Sequence, residues 1–350
     1  MNIETILQFK EDLDNYKLYD LRIIGRFYDI SSIKQDDLKW LIAIKHTKDN
    51  MFATMNPGDI SLHSEDELNN NFKFGKLIGR GSGGDVFSAI DVNTKEIVAI
   101  KICKDEPEQC KQELYFGTKL NHPNIINVKE GYNITVHTTA GTKVVPAIIM
   151  ENCVSDLYRK TKQLQNPMTE GDAAKVVKAI TTALGYLANQ NIIHRDVKLD
   201  NILLCGPNGD IPKLADFGLA TDYNPTEKLI LPIGTLKYRP PEMFSNEKYD
   251  ASIDIRALGI VMYELLTGIN PYDPDDKLSD DELSTAIKQN HRLGDTKNEY
   301  KKLSDTAKNL IDDILGENMV NIKPSERPTA NDILNHSWIT VPHPPVQLDW

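Results

Sequence analysis

The sequence predicts an α+β protein in which a β-rich lobe is followed by a helical lobe. Residues 72–78 alternate in polarity and run into glycines, and residues 96–102 are rich in β-branched side chains; both patterns are typical of strands. Beyond residue 152, apolar side chains recur at helical spacing, for example over 173–189 and 258–266. The chain of 350 residues has room for both lobes in one large domain.

A smaller, mainly helical extension is expected ahead of the two lobes. Residues 1–71 contain three sets of apolar side chains at helical spacing, which begin at Ile3, Leu21 and Leu38. Residues 63–71 are polar and acidic, and we expect them to form a linker. The predicted organisation is therefore an extension with its linker at 1–71, the two-lobed domain at 72–338 and a proline-containing tail at 339–350.

Charge and cysteine usage exclude several classes of partner. The net charge of -11 gives no support to binding of nucleic acid or of an anionic membrane. No segment approaches the ~18 apolar residues of a membrane span, and the N-terminal segment lacks the apolar run of a signal peptide. The four cysteines show no C-x-x-C spacing, so we expect reduced thiols. The predicted location is the cytoplasm, with the nucleus as an alternative.

A glycine-rich turn follows the first predicted strand of the β-rich lobe. Residues 79–86 fit the pattern Gly-x-Gly-x-x-Gly-x-Val. Glycines let backbone N–H groups approach phosphate oxygens without side-chain clashes. A flexible hairpin and a dinucleotide-binding loop are alternatives, but the latter would open a helix, whereas residues 86–90 have the pattern of a returning strand.

Two segments of the helical lobe carry the strongest signal for chemistry. Residues 194–201 have the sequence His-Arg-Asp-Val-Lys-Leu-Asp-Asn, and residues 216–218 are Asp-Phe-Gly. Together they supply a candidate base, a cation for phosphate and two oxygen ligands for a metal ion. Phosphoryl transfer depends on such positioning and charge neutralisation.

With these segments, and with Gly-Thr-Leu-Lys-Tyr-Arg-Pro-Pro-Glu at 234–242, the chain resembles the eukaryotic-type serine/threonine protein kinases over residues 72–338. His-Ser-Trp at 336–338 is similar to the end of the domain in calcium/calmodulin-kinase-like members. The resemblance implies the bilobal kinase fold, the cofactors ATP and Mg²⁺, and transfer of the γ-phosphate to Ser/Thr hydroxyls of protein substrates. A pseudokinase scaffold that binds ATP and partners, and a small-molecule kinase, are the alternatives.

The resemblance also assigns roles around the transferred phosphate. It implies that Asp196 is the base, that Lys198 stabilises the transferring phosphoryl group and that Thr235 contacts the base. Asn201 and Asp216 would hold Mg²⁺, which prefers hard oxygen ligands.

The nucleotide-binding residues follow from the same resemblance. Lys101 would grip the α- and β-phosphates and pair with Glu113, while Glu106 and Glu108 are alternative partners. The backbone of Glu151 and Cys153 would bond adenine. The remaining positions implied to line the nucleotide are Gly79, Arg80, Gly81, Ser82, Gly83, Gly84, Val86, Ala99, Met150, Asp156 and Leu203. An ordinary helix N-cap is the alternative role of Asp156.

The stretch before Thr235 departs from the family pattern. Residues 228–233 contain no hydroxyl, although the family carries its activating phosphosite there and Arg195 would normally pair with that phosphate. We hypothesise that apolar packing of Leu229, Ile230 and Ile233 holds this loop, with Thr221, Tyr223 and Thr226 as remaining candidate phosphosites.

A second departure is Arg256, which stands where the family usually has tryptophan. If buried, its guanidinium needs carboxylate or carbonyl partners; a docking surface is the alternative. The resemblance implies that Glu242 pairs with Arg327 and that Asp254 holds the catalytic loop.

Partner preferences are less specified. Asp156 and Asp200 suggest a modest preference for basic residues upstream of the phosphoacceptor. Residues 1–71 are a candidate site for a protein partner; packing on the kinase domain and autoregulation are alternatives, and nucleic-acid binding is disfavoured by charge.

Overall fold

The computed structural model describes residues 60–81, 83–104, 107–138, 141–164, 166–224, 229, 232–244, 248–317 and 320–343. The three helices predicted between residues 1 and 59 lie outside this part of the chain. The predicted arrangement of a β-rich lobe followed by a helical lobe is confirmed by the order of the elements.

The first lobe is built on a six-stranded sheet of order β1-β5-β6-β4-β3-β2. Its strands are β1 (Leu62–His63), β2 (Phe72–Gly81), β3 (Gly84–Asp91), β4 (Ile97–Ile102), β5 (Val128–Thr138) and β6 (Gly141–Glu151). All neighbouring pairs are antiparallel except β1 with β5. β2 and β3 form the hairpin that carries the glycine-rich turn, and β4 carries Lys101.

A short helix replaces the linker predicted over residues 63–71. Helix α1 (Glu65–Asn71) begins at Ser64, whose side chain and backbone form a reciprocal capping box with Glu67. Leu68 is buried and packs on the sheet with Phe72 and Tyr132. The linker prediction was wrong because it weighed the polar composition and missed the N-cap signal and the single apolar anchor.

Helix α2 (Pro107–Lys119) packs on the other face of the sheet and is tethered to it covalently. Cys103, directly after β4, forms a disulfide with Cys110 on α2, and a second disulfide joins Cys153 to Cys205. The expectation of reduced thiols is therefore wrong for this structure. The paired cysteines are separated by 7 and 52 residues in the sequence. Neither separation is a recognised cysteine motif, so the pairing could not be predicted from spacing.

The second lobe is mainly helical. Its helices are α3 (Leu157–Gln163), α4 (Glu170–Asn189), α5 (Ser252–Thr267), α6 (Asp280–Lys288), α7 (Asn298–Lys301), α8 (Asp305–Leu315), α9 (Ala330–Asn335) and α10 (Ser337–Thr340). Its short strands are β7 (Ser155–Asp156), β8 (Ile192–Ile193), β9 (Ile202–Cys205), β10 (Ile211–Leu214) and β11 (Thr221–Asp222). The apolar faces of α4, α5 and α8 form its core. None of the helices in the described part of the chain has the length and hydrophobicity needed to cross a bilayer. Ile339, assigned to the tail, is buried in this core.

Arg256 is enclosed within the helical lobe. It is only 1% exposed, and its guanidinium donates to the Arg239 carbonyl (3.1 Å) and to the Tyr272 hydroxyl (2.6 Å). These partners satisfy the buried guanidinium. Its burial rules out the alternative that Arg256 marks a docking surface.

Glu242 and Arg327 form a buried bidentate ion pair. The two N–H···O distances are 2.6 and 2.8 Å, and both side chains are almost fully enclosed. The pair joins the segment after Thr235 to the segment that precedes α9.

Replacing Arg327 with methionine removes the bidentate partner of the buried Glu242 carboxylate. We expect the free energy of unfolding to fall by ~3–5 kcal/mol, as measured by urea denaturation. Lys323→Met is the matched control because it breaks the exposed pair with Glu326 (3.9 Å), and such pairs contribute ~0–1 kcal/mol. Equal losses in the two variants would contradict the structural weight assigned to the buried pair.

The disulfides give a direct chemical prediction. If thiols are trapped with an alkylating agent during isolation without reductant, we expect no alkylated cysteine and two cross-linked peptide pairs, Cys103 with Cys110 and Cys153 with Cys205. Peptide mapping by mass spectrometry measures this, and a sample reduced before alkylation is the control. Four alkylated cysteines in the unreduced sample would restore the expectation of reduced thiols.

Candidate active site

The catalytic loop runs from β8 to a 3₁₀ turn at Leu199–Asn201. Its backbone is hydrogen-bonded to a side chain of α5. The buried carboxylate of Asp254 accepts hydrogen bonds from the backbone N–H groups of His194 (2.7 Å) and Arg195 (2.9 Å). Burial raises the pKa of Asp254, although the two amides favour its charged form. Asp254 thereby fixes the backbone of the two residues that precede the candidate base, Asp196.

His194 links the catalytic loop to the Asp-Phe-Gly segment. Its Nδ1 accepts from the backbone N–H of Asp196 (3.2 Å), and its Nε2 lies 3.0 Å from the carbonyl of Ala215. These contacts make Nδ1 a hydrogen-bond acceptor and place Nε2 as a donor. Its ring also packs edge-on against Phe217, with the ring centroids 4.9 Å apart.

Three of the other predicted site residues contact the Asp196 carboxylate. Its Oδ1 accepts from the backbone and the hydroxyl of Thr235, each at 2.9 Å. Its Oδ2 accepts from Lys198 Nζ (2.6 Å) and Asn201 Nδ2 (2.9 Å). Lys198 Nζ also donates to the Thr235 hydroxyl (2.9 Å). These bonds fix the carboxylate in one orientation.

A glycine is required immediately before Thr235. Gly234 has a φ of +82°, and a Cβ there would lie 2.3 Å from the Arg195 carbonyl oxygen. Any other residue would combine left-handed backbone strain with a steric clash. The segment before Thr235 can therefore approach the catalytic loop only through Gly234.

The second cluster lies between α2 and β4. Lys101 Nζ lies 2.5 Å from Glu113 Oε2 and 3.6 Å from Asp216 Oδ1. Burial opposes the charged ammonium, but the carboxylates of Asp216 and Glu113 outweigh it and raise the pKa of Lys101. Of the alternative partners, Glu108 pairs with Lys111 on the surface of α2 (2.8 Å), and Glu106 lies outside the described residues.

The oxygen atoms available for a cation fit Mg²⁺. The side-chain nitrogen of Asn201 donates to Asp196, so its side-chain oxygen Oδ1 is the atom that a cation could use. Asp216 has a left-handed backbone, at a φ of 63°, and its side chain is 41% exposed. The described residues contain no cluster of three or more His, Cys, Asp or Glu suited to a metal. Mg²⁺ uses few protein oxygens and completes its shell with waters and phosphates.

The predicted adenine-lining residues belong to one apolar cluster. Ala99 pairs with Met150 across β4 and β6, and Val86 and Leu203 pack at its edge. Cys153 also packs there and is joined to β9 through its disulfide. The structure thus brings these five of the positions implied to line the nucleotide into one cluster.

The rim of the cleft contains the glycine-rich turn and Asp156. A Cβ on Gly83 would lie 2.9 Å from Lys101 Nζ, so the turn approaches that lysine closely. Arg80 forms an ion pair with Asp85 (2.9 Å), while Ser82 lies outside the described residues. Asp156 caps α3 through the backbone N–H of Arg159 (2.7 Å).

Glu151 contributes through both its backbone and its side chain. Its backbone N–H donates to the Asn127 carbonyl (3.0 Å), and its carboxylate accepts from Lys213 Nζ (2.6 Å). These contacts fix the segment that connects the two lobes.

Arg195 is buried and bonded to the protein itself. Its guanidinium donates to the carbonyls of Leu219 (2.6 Å) and Ala220 (3.4 Å) and to the Tyr249 hydroxyl. Leu229 packs on the buried cluster that contains Tyr249, and its carbonyl accepts from the Tyr249 backbone (3.3 Å). Of the other residues in the packing hypothesis, Ile233 is half-buried and Ile230 lies outside the described residues.

Gln112 is a site residue that the sequence analysis missed. It is fully buried next to Glu113 on α2, and its amide nitrogen donates to the carbonyl of Ala220. Because Arg195 donates to the same carbonyl, Ala220 joins α2 to the catalytic loop. The available signal was a polar residue within the buried stretch of an otherwise packed helix.

A fixed carboxylate beside a lysine, with a second lysine held by carboxylates, is an arrangement suited to phosphoryl transfer. Residues 72–339 match the family model described as the protein kinase domain, and the chain belongs to this family. Members of the family generally use ATP and Mg²⁺.

Three relatives place the chain among the serine/threonine kinases. It is 31% identical over 272 residues to MAP kinase-activated protein kinase 2 of Mus musculus, which covers 75% of this chain and 67% of the relative. It is 32% identical over 275 residues to Aurora kinase of Saccharomyces cerevisiae, covering 77% and 69%. Calcium-dependent protein kinase 5 of Plasmodium berghei is 32% identical over 284 residues, covering 79% of this chain and 47% of the relative. The predicted fold and kinase family are confirmed.

The contacts of Arg195 generate a prediction about activation. We expect phosphatase treatment to leave activity unchanged, because internal groups already hold the guanidinium. Tyr249→Phe removes one buried bond to a charged group and should lower kcat by ~10-fold. Peptide phosphorylation assays measure both effects.

Mass spectrometry of the active enzyme completes this test. A stoichiometric phosphate on Thr226 that is required for activity would contradict it. Tyr158→Phe, which removes a hydroxyl from the surface of α3, is the control for the Tyr249 variant.

Proposed function

We propose that this protein kinase transfers the γ-phosphate of ATP to serine or threonine hydroxyls, with Asp196 as the base. The observation that carries the proposal is the Asp196 carboxylate, held by Thr235, Lys198 and Asn201. A base fixed in this way accepts the substrate proton without reorganisation at the moment of reaction.

The charged residues of the two clusters have different roles in phosphoryl transfer. Lys198 stabilises the charge on the transferring phosphoryl group, and Lys101 grips the α- and β-phosphates while Glu113 orients it. Asn201 and Asp216 would hold Mg²⁺, and the ion would supply positive charge to neutralise the phosphates. The short distances among these side chains support a site assembled for catalysis.

The nucleotide occupies the cleft between the lobes in this proposal. Adenine packs between Ala99 and Val86 above and Leu203 below, with Met150 at the back. The backbone of Glu151 and Cys153 bonds its edge, and Asp156 contacts the ribose. The glycine-rich turn, residues 79–84, covers the phosphates.

The scaffold alternative requires ATP binding without transfer. It has no support from the site, because every group needed for transfer is present. The base contacts Lys198 and Asn201 in one cluster, and Lys101 contacts Glu113 and Asp216 in the other. The protein substrate is expected along the segment that ends at Thr235.

The substrate preference proposed from two acids now rests on one of them. Asp156 forms an ion pair with Arg159 (3.1 Å). Its negative charge is therefore already paired and attracts a basic peptide less. Asp200 is exposed beside the catalytic loop and remains the candidate contact for an upstream arginine or lysine.

For the bounds of the kinase domain we propose residues 62–339 in place of the predicted 72–338, because β1 and α1 pack with the first lobe and Ile339 is buried in the second. We further propose that the residues ahead of β1 recruit a protein partner and that the enzyme acts in the cytoplasm or nucleus. The charge of -11 supports a protein partner over nucleic acid.

Asp196→Asn tests the mechanism. The amide keeps the shape of the side chain but cannot act as the base, so we expect kcat to fall by ~10²–10⁴-fold. Phosphorylation of a generic Ser/Thr substrate with Mg-ATP measures kcat, and calorimetry measures ADP binding, which should persist. Asp66→Asn on the exposed face of α1 is the matched control. ATP binding without transfer in both the native chain and the variant would favour the scaffold function.

A further inference from the structure

Arg159 connects the two walls of the cleft at its outer rim. It lies on α3 of the helical lobe, and its Nη1 donates to the carbonyl of Ile78 (3.0 Å) on β2 of the other lobe. Ile78 directly precedes Gly79, the first glycine of the turn. A Cβ on Gly79 would lie 3.9 Å from Arg159 Nη2, so the guanidinium lies against the base of the turn.

The same guanidinium is anchored within its own lobe. Its Nε lies 3.1 Å from Asp156 Oδ2, and the other carboxylate oxygen accepts from the Arg159 backbone (2.7 Å). Asp156 pairs with Leu203 across β7 and β9, so this anchor is continuous with the floor of the cleft. The Arg159 side chain thus joins Asp156 in the helical lobe to the backbone of Ile78 in the β-rich lobe.

We propose that Arg159 is a positioning residue that holds the base of the glycine-rich turn closed over a bound nucleotide and slows its release. The inference rests on the proposed ATP site. The bond between Arg159 and Ile78 must break when the lobes separate at this rim, whereas the bond to Asp156 lies within one lobe and persists.

The expected effect is moderate because the Arg159 side chain is 52% exposed. Loss of one charge-assisted hydrogen bond at such a site should accelerate ADP dissociation by ~3–10-fold. Lysine retains the charge and a donor but cannot serve both partners with a planar fork, so Arg159→Lys should give an intermediate rate.

The experiment measures dissociation of radiolabelled Mg-ADP from the full chain after a chase with unlabelled ADP. The variants are Arg159→Ala and Arg159→Lys. Lys162→Ala on the same helix is the control because its ammonium lies over the exposed Tyr158 ring. Unfolding midpoints are measured in parallel and should not differ. An unchanged rate for Arg159→Ala, with normal ADP binding by the native chain, would overturn the proposal.

A second arm uses 2′-deoxy-ADP to separate closure from ribose recognition. Closure predicts the same acceleration for both nucleotides, because the contact with Ile78 does not involve the ribose. If the effect disappears with 2′-deoxy-ADP, Arg159 acts by orienting Asp156 toward the ribose and the closure proposal is wrong. Failure of the native chain to bind ADP would instead refute the proposed function.

Discussion

The catalytic centre depends on a buried carboxylate that binds backbone rather than substrate. Asp254 accepts the N–H groups of His194 and Arg195, and the orientation of Asp196 follows from the backbone fixed there. These amides would otherwise be buried without partners, which is costly. Because burial disfavours the charge of Asp254, the loop and the carboxylate stabilise each other, and the geometry of the base is a consequence of helix packing.

Hydrogen bonds to the Ala220 carbonyl connect the catalytic loop to helix α2. Arg195 and Gln112 both donate to the carbonyl of Ala220, so the position of α2, and with it Glu113, is coupled to the catalytic loop. The coupling uses buried polar groups whose disruption leaves donors unsatisfied. The Arg195 guanidinium donates to carbonyls and to Tyr249, so groups of the protein itself take the place that a phosphorylated side chain would fill.

Sequence patterns predicted the elements whose signals are local. The strand that carries Lys101 and the helix at Glu170–Asn189 were predictable because β-branched content and helical periodicity are properties of short windows. The contact between Lys101 and Glu113 also followed, but only through the family resemblance. Gln112 was missed because its partner is 108 residues away along the chain. The same holds for the cysteine pairs, whose proximity is a property of the fold.

The restraints around the cleft are of unequal strength, because some are covalent and others are hydrogen bonds. One disulfide links the end of β4 to α2, and another links the segment after β6 to β9. Both restraints are covalent. The β2–β3 hairpin is stiffened by Asp85, which binds Arg80 and Lys104 at 2.9 and 2.7 Å. The noncovalent bond between Ile78 and Arg159 lies at the base of this hairpin. In the proposed closure it is the contact at the outer rim that must break before a nucleotide leaves.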